Sequence, residues 1–299
     1  MARLFNAYVI VDWSAASKPG KGADSIWLGV VKRDVRFRMT FESHNPATRG
    51  EAEALIGSIL DDRARRSERT LIGFDFALGF PRGLAAALKL PPEEAPWRAV
   101  WNQLDRMVKD KKDNTNNRFG VGSEINRRVT GGPFPFWGVP TKDALTTLQP
   151  KKQRPHGPGD LPEFRHAELV AKGASPVWKL YYQGSVGGQA ILGIPVVRRL
   201  KLARGDAFQV WPFETGWRAL DEQRLAGVEA VAAEVYPSLA KAQPQGGEPK
   251  DLAQVRTLAE HYARLDEAGR LGALFAPPKD TAPDVVIDAE REEGWILGV

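Results

Sequence analysis

Residues 8–12 read Tyr-Val-Ile-Val-Asp, and residues 70–75 read Thr-Leu-Ile-Gly-Phe-Asp. Each stretch is a short apolar run that ends directly in an aspartate, Asp12 in the first and Asp75 in the second. Short, continuous apolar runs are typical of strands that are buried on both faces of the sheet in an α/β protein. The two runs therefore predict neighbouring central strands, each with a carboxylate at its end.

The segment between the two runs predicts a hairpin followed by a helix. Ile26–Val31 and Val35–Phe41 are separated by a short polar turn, and the second stretch alternates apolar with polar residues. Thr48 and Glu51 have the spacing of a capping box, and an apolar stripe at helical spacing follows them. The order up to Asp75 is therefore strand, hairpin, helix, strand.

The strand pattern returns late in the chain. Ala207–Phe213 and Val228–Val235 predict two further strands, and Glu234 lies at the end of the second. Lys250–Ala268 predicts a long amphipathic helix with Asp251 in its first turn, on the stripe that faces the sheet. The pattern predicts one α/β domain over residues 1–299, with a core of 1–81 and 206–299 and a large helical and loop insertion at 82–205.

Composition narrows the possible chemistry. The chain has no cysteine, which excludes thiol nucleophiles, iron–sulfur clusters and disulfide partners, and its scattered histidines do not suggest a zinc site. A formal charge of +5 permits a polyanionic partner without requiring one. The N-terminal apolar run is too short for a signal peptide or a membrane span, so we expect a cytoplasmic protein with no membrane partner.

The acidic strand ends predict a site for a hard divalent cation. If the two central strands are parallel neighbours, Asp12 and Asp75 project at the same edge about 5 Å apart. Two like charges this close are costly unless a cation neutralises them, and carboxylate ligands favour Mg²⁺ or Mn²⁺. Glu234 and Asp251 are the further candidate ligands. Glu214 stays open as an alternative to Glu234, as do Asp284 and Asp288 to Asp251, whereas Asp266 lies about 22 Å along the helix from Asp251.

Several strings of the chain resemble one family. They are VIVDWSAAS at 9–17, IGFDFALGFPRG at 72–83, SVGGQAILGIP at 185–195, WPFET at 211–215, AEVYPSL at 233–239 and EEGWILGV at 292–299. They resemble bacterial proteins described as predicted nucleases of ribonuclease-H fold. The resemblance implies a ribonuclease-H-like mixed sheet and a metal-dependent nuclease that hydrolyses phosphodiester bonds by a two-metal-ion carboxylate mechanism.

The resemblance also implies a role for each acid. Asp12 is then the first-strand ligand that bridges two Mg²⁺ or Mn²⁺ ions, and Asp75 is the acid of the fourth strand. Glu234 is the acid of a late strand, and Asp251 is the helix acid that binds the second ion. All four are the predicted catalytic and metal-binding residues, and the implied partner is a nucleic acid.

Other polar residues are candidate substrate contacts. Ser185 and Gln189 flank a small-residue turn that opens a helix, where free backbone N–H groups can receive an anion. Trp13 directly follows Asp12 and can stack on a base, although tryptophans more often anchor the core. A basic run from Lys109 to Arg128 ends in GSEINRR, whose polar members are the remaining candidates: Glu124, Asn126 and Arg127.

Two other functions remain open at the level of sequence. Actin-like ATPases and sugar kinases share the ribonuclease-H-like fold and also place acids at strand ends, but the two Gly-rich phosphate loops expected of them are not evident here. A binding module that retains the fold without catalysis is the third possibility. The geometry of the acids tests these alternatives. A metal-dependent enzyme needs the acids to converge, whereas a binding module does not.

Overall fold

Six strands form a single mixed sheet in the order β3-β2-β1-β4-β6-β5. The computed structural model describes residues 3–34, 36, 38–242 and 244–299. The strands are β1 (Ala7–Asp12), β2 (Trp27–Arg33), β3 (Met39–His44), β4 (Thr70–Phe74), β5 (Phe208–Val210) and β6 (Ala230–Glu234).

The sheet combines an antiparallel half with a parallel half. β1 pairs antiparallel with β2, and β2 pairs antiparallel with β3, which is the predicted hairpin. β1, β4, β6 and β5 run parallel to one another. The C-terminal ends of β1 and β4 therefore meet at one edge, as their apolar runs predicted.

Helices cover both faces of the sheet, and the fold is α/β as predicted. The helices are α1 (Arg49–Arg65), α2 (Leu84–Ala87), α3 (Pro96–Met107), α4 (Arg118–Val129), α5 (His166–Val170), α6 (Gly187–Arg204), α7 (Lys250–Glu267) and α8 (Pro283–Asp288). Single turns of tighter or wider helix occur at Thr141–Asp143, Gly205–Ala207, Pro237–Leu239, Leu271–Phe275 and Ala289–Glu293.

Alternate residues of β1 divide the core into two layers. Val9 and Val11 belong to an apolar cluster with residues of α1, α3 and α6 on one face. Tyr8 and Ile10 belong to a second cluster with the buried stripe of α7 on the other face. The period of two along the strand thus assigns each residue at the sheet edge to a definite side.

Some predicted boundaries differ from the structure. The second strand of the hairpin is Met39–His44 rather than Val35–Phe41, and Val35 and Phe37 lie outside the described residues. β5 ends at Val210 rather than Phe213, because Pro212 cannot donate to a ladder and the Glu214 carboxylate accepts the Val210 N–H at 3.0 Å. The N-cap prediction agrees with the structure, since the Thr48 hydroxyl accepts the Glu51 N–H.

The segment between β4 and β5 is mostly helix and loop and carries α2 to α6. Its last helix, α6, packs its buried residues against the sheet face that also holds Val9 and Phe74. Part of the segment 82–205 thus contributes to the helical layer over the sheet.

We find no helix among the described residues with the length and apolar character required to cross a membrane.

Candidate active site

Asp12 and Asp75 meet at the carboxyl edge of the parallel strands. β1 and β4 are in register at Val11 and Phe74, so the two aspartates that follow are neighbours on the same face. The Asp75 N–H donates to the Val11 carbonyl at 3.1 Å, and Asp75 Oδ1 accepts the Trp13 N–H at 2.7 Å. The two carboxyl groups lie close enough to each other that each affects the pKa of its neighbour. The predicted juxtaposition of these two acids is therefore present.

The surroundings of this pair favour its protonated form. Burial, and then the charge of Asp75, raises the pKa of Asp12 well above its ordinary value. Burial raises the pKa of Asp75 to about 7, although the hydrogen bonds from Trp13 and Asp12 oppose the shift. Removal from water and like-charge repulsion thus both penalise the doubly ionised pair. A bound cation would relieve this cost.

Asp251 approaches the pair from the first turn of α7. Its Oδ2 accepts the Asp24 N–H at 2.7 Å, which fixes the carboxylate relative to the loop after β1. The negative charge of Asp251 contributes to the raised pKa of both Asp12 and Asp75. Asp251 therefore lies near the pair, but among the described residues the three acids do not all bring a carboxylate oxygen within 4.8 Å of one another.

Asp12 and Asp251 border a cavity of about 350 Å³, whereas Asp75 lines a neighbouring one. Asp12, Asp24 and Asp251 contribute to the lining of the first cavity, and Ser185 and Gln189 from the start of α6 do so as well. The Gln189 side-chain amide donates to the Trp13 carbonyl, which ties α6 to the strand end. Carboxylate oxygens are the donors that Mg²⁺ and Mn²⁺ prefer, so the cavity has the ligand chemistry for a hard divalent cation.

Glu234 departs from its predicted place. Its register partner is Phe74, so its side chain belongs to the sheet face opposite to Asp12 and Asp75, because successive strand residues alternate in direction. Both of its carboxylate oxygens accept from the Arg165 guanidinium, at 2.6 and 2.7 Å. Glu234 is therefore engaged in an ion pair with Arg165, although it lines a cavity together with Asp75.

A buried network surrounds this ion pair. Arg165 is 1% exposed and also pairs with Glu168 at 2.9 Å, so one guanidinium serves two carboxylates. Burial raises the pKa of Glu168 above its ordinary value, against the opposing charge of Arg165. Together with Asp75 and Gln189, the three residues line a second cavity of about 230 Å³.

The alternative acids have other partners. Asp266 accepts the backbone N–H groups of Leu4 and Phe5 and the Tyr8 hydroxyl, and so anchors the N-terminal segment. Glu214 lies 3.0 Å from the Lys201 ammonium, and Asp284 is exposed on α8. Among the candidate acids of the late part of the chain, Asp251 is the one that lines the same cavity as Asp12.

A different group of side chains also has metal-binding geometry. One ligand atom each from His166, Asp288 and Glu293 lies within 4.8 Å of the others, and these residues could hold a metal ion. They are the only such group of three among the described residues. Arg82 already contacts all three, with its Nη1 3.1 Å from the His166 ring. A cation bound there competes with this guanidinium.

The predicted substrate contacts fall into three groups. Ser185 and Gln189 line the carboxylate cavity. The Trp13 indole is 1% exposed and packs on Phe76 in the core, so only its backbone meets the site. The third group lies on α4 and already has partners within the protein: the Asn126 side chain bonds to the Phe136 backbone, and the Glu124 carboxylate pairs with Arg127.

Arg118 is the site residue that sequence reasoning missed. It was visible only as one member of the basic run, yet it lines the cavity from the start of α4 and is 7% exposed. Its membership of the basic run from Lys109 to Arg128 was the one available signal. Nothing local in the sequence indicates that residue 118 approaches residue 12.

Comparisons with protein-family models, with curated proteins and with solved structures returned no match for this chain. The function is therefore argued from the chemistry of the site itself.

The raised carboxyl pKa values predict how the stability of the metal-free protein depends on pH. A carboxyl whose pKa is higher in the folded state stabilises the fold at low pH, and this contribution is lost as the pH rises through the folded value, about 7 for Asp75. The slope is about 1.4 kcal/mol per pH unit for each proton. In urea unfolding with chelator, we expect lower stability at pH 8 than at pH 5.

The matched variant isolates this contribution. Asp12→Asn removes the partner charge and one titrating group, so its stability should fall less between the two pH values. An equal fall in the variant and the parent protein would assign the pH dependence to other groups.

Proposed function

We propose that the protein is a divalent-cation-dependent hydrolase of phosphodiester bonds in nucleic acid, with Asp12, Asp75 and Asp251 as its metal ligands. The observation that carries the proposal is the buried Asp12–Asp75 pair, whose raised pKa values record an uncompensated cost of negative charge. A divalent cation is the ligand class that such a pair recognises. The same acids form the greater part of the ligand set that the family resemblance implies.

The strand order supports the ribonuclease-H-like interpretation of the fold. A first strand lies between the antiparallel hairpin and the parallel β4, and a late strand, β6, lies beyond β4. A helix, α7, follows β6 and brings Asp251 to the first strand. We propose that this order is a ribonuclease-H-like core with an additional edge strand, β5.

The chain's own residues have defined tasks in this proposal. Asp12 and Asp75 would hold Mg²⁺ or Mn²⁺ at the strand edge, and Asp251 would complete the ligand set from the first turn of α7. When bound, a pair of such ions activates a water and stabilises the oxygen that leaves the phosphorus. Gln189 and the Asp24 N–H hold the strand end and the Asp251 carboxylate in position.

The rim of the cavity favours nucleic acid as the substrate class. Tyr181 lines the cavity and is 37% exposed, and its ring lies beside that of Tyr182, which is 46% exposed. The bases of single-stranded nucleic acids stack on exposed aromatic side chains such as these. The open aromatic rim thus fits a polymeric substrate with bases.

The test is a cleavage assay with Mn²⁺, Mg²⁺ or chelator on single-stranded DNA, duplex DNA, RNA, RNA–DNA hybrid and branched DNA. We expect cation-dependent cleavage of at least one substrate, and no cleavage by Asp12→Asn. Asp288→Asn, which alters the His166 group instead, is the matched control and should retain activity. Release of phosphate from ATP without nucleic-acid cleavage would instead favour a phosphotransferase or ATPase, and the absence of both would leave a binding module.

A further inference from the structure

Arg118 is a buried cation without a carboxylate partner among the residues that the structure describes. Its Nη1 donates to Ser17 Oγ and Asn116 Oδ1, both at 2.9 Å, and these acceptors are neutral. Its Nε is buried without a hydrogen-bond partner. Buried guanidinium groups are ordinarily paired with an anion. The recorded partners of the Arg118 guanidinium are thus neutral, and they include the Phe119 ring, whose centroid lies 4.3 Å from Cζ.

Two charged groups near Arg118, Arg49 and Asp110, are already paired with each other. Arg49 lies close enough for its charge to lower the pKa of Arg118, and burial is the larger cause of the lowered value, about 10. The Asp110 carboxylate is already engaged by Arg49 in a two-pronged ion pair, at 2.6 and 2.7 Å. Arg118 thus lies next to a satisfied ion pair from which it gains little.

The first turn of α6 lies against the Arg118 side chain. A methyl group built on Gly188 would come within 3.2 Å of Arg118 Cδ, so the absence of a side chain at residue 188 permits this close approach. Ser185 precedes the helix and lines the same cavity as Arg118 and Asp12. The N-terminal end of a helix of 18 residues favours negative charge through its dipole, although the Gly187 N–H at this end already donates to the Lys179 carbonyl at 2.9 Å.

The lining of the cavity therefore combines groups of opposite character. Asp12, Asp24 and Asp251 are acidic, whereas Arg118 and Ser185 offer hydrogen-bond donors to an anion. A phosphate bound between them contacts cation-binding carboxylates on one side and hydrogen-bond donors on the other. Charge-assisted hydrogen bonds from a guanidinium to phosphate are among the stronger polar contacts in proteins.

We propose that Arg118 and the N-terminal turn of α6 bind a backbone phosphate of the nucleic-acid substrate, opposite the metal-binding carboxylates. The inference rests on the proposed function for the source of the phosphate, but its geometry is independent of the metal ligands. Arg118 is then a substrate-binding residue, and the phosphate supplies the anionic partner that Ser17 and Asn116 do not. Ser185 is the second contact in the same subsite.

The experiment measures binding of inorganic phosphate by its effect on the melting temperature, with Mg²⁺ and with chelator, at matched ionic strength. We expect phosphate to stabilise the parent protein, and Arg118→Met to weaken phosphate binding by about 10-fold or more, since hydrogen bonds to charged groups contribute about 1.5–3 kcal/mol. Arg128→Met on the same helix is the control and should bind phosphate normally, because Arg128 pairs with Glu124.

A second Arg118 variant and two competing ligands test the same phosphate site. If Arg118→Met does not fold, Arg118→Lys retains the charge without the planar fork and should still bind phosphate more weakly than the parent protein. A phosphorothioate oligodeoxythymidylate should compete with phosphate for the parent protein, and ATP should compete less well. Equal phosphate binding by the parent and the Arg118 variants would overturn the proposal, and so would competition by ATP alone.

The metal response separates the two proposals. Mg²⁺ alone should stabilise both the parent protein and Arg118→Met, because Arg118 is not a ligand. Failure of Mg²⁺ to stabilise the parent protein contradicts the proposed function, whereas phosphate binding that is indifferent to Arg118 contradicts only the subsite.

Discussion

Asp12→Asn should eliminate the stabilisation of the protein by Mn²⁺ or Mg²⁺. The substitution replaces one carboxylate of the buried Asp12–Asp75 pair by an amide, so the cation loses a negative charge and an anionic ligand. A cation at about 100 times its Kd stabilises a folded protein by about 2.7 kcal/mol, and this is the quantity that should vanish. Melting temperatures with and without cation measure it directly.

The same substitution should reduce cation-dependent cleavage by more than about 100-fold. Loss of residues that only support metal ligands costs 10–100-fold, and Asp12 is proposed as a ligand itself. Asp288→Asn should leave both the thermal response and cleavage unchanged, since Asp288 belongs to the group around His166. If Asp288→Asn loses the response and Asp12→Asn retains it, the metal centre lies at His166 instead.

Arg165→Met should be strongly destabilising. The substitution leaves Glu234 and Glu168 buried without the guanidinium that pairs with both, and removal of one partner from a buried ion pair costs about 3–5 kcal/mol. Urea unfolding of the parent protein and the variant measures the loss. A cost below about 1 kcal/mol would show that water compensates the two carboxylates.

A double variant tests whether this energy resides in the ion pair. Glu234→Gln alone leaves the Arg165 charge with one fewer partner, and the two substitutions combined should cost less than the sum of the separate costs. Contacting residues commonly show coupling energies of about 0.5–3 kcal/mol. Because Glu234 is engaged by Arg165, we expect Glu234→Gln to retain the thermal response to Mg²⁺ if the variant folds.

Local sequence patterns were sufficient to predict the Asp12–Asp75 pair. A short apolar run that ends in an acid marks a buried strand and its carboxyl edge, and two such runs on parallel neighbours bring their acids together. Asp251 was also predictable, because the amphipathic stripe of α7 assigns its first turn to the sheet side. These inferences needed only periodicity and strand order.

The position of Glu234, the fourth predicted metal ligand, could not be predicted from the sequence. Its place depends on whether β6 is in register with β4 at Phe74 or one residue further on, and a shift of one residue reverses the face. The alanine-rich, wholly buried β6 is apolar on both faces and so does not reveal that parity. Its partner, Arg165, lies in an irregular segment that carries no periodic signal.

Arg118 illustrates a second limit. It is separated by more than a hundred residues from Asp12, and only the packing of α4 and the start of α6 over the strand edge brings it to the cavity. Composition identified a basic run, but burial without an anionic partner distinguishes Arg118 from the exposed arginines of that run. Such a distinction requires the tertiary structure.

The most direct test of the central claim is an anomalous difference map from a crystal of the protein grown with Mn²⁺. We expect a peak coordinated by the carboxylates of Asp12 and Asp75, beside the cavity that Asp12 and Asp251 line. A peak confined to His166, Asp288 and Glu293, or no peak at either place under conditions in which Mn²⁺ supports cleavage, would contradict the central claim.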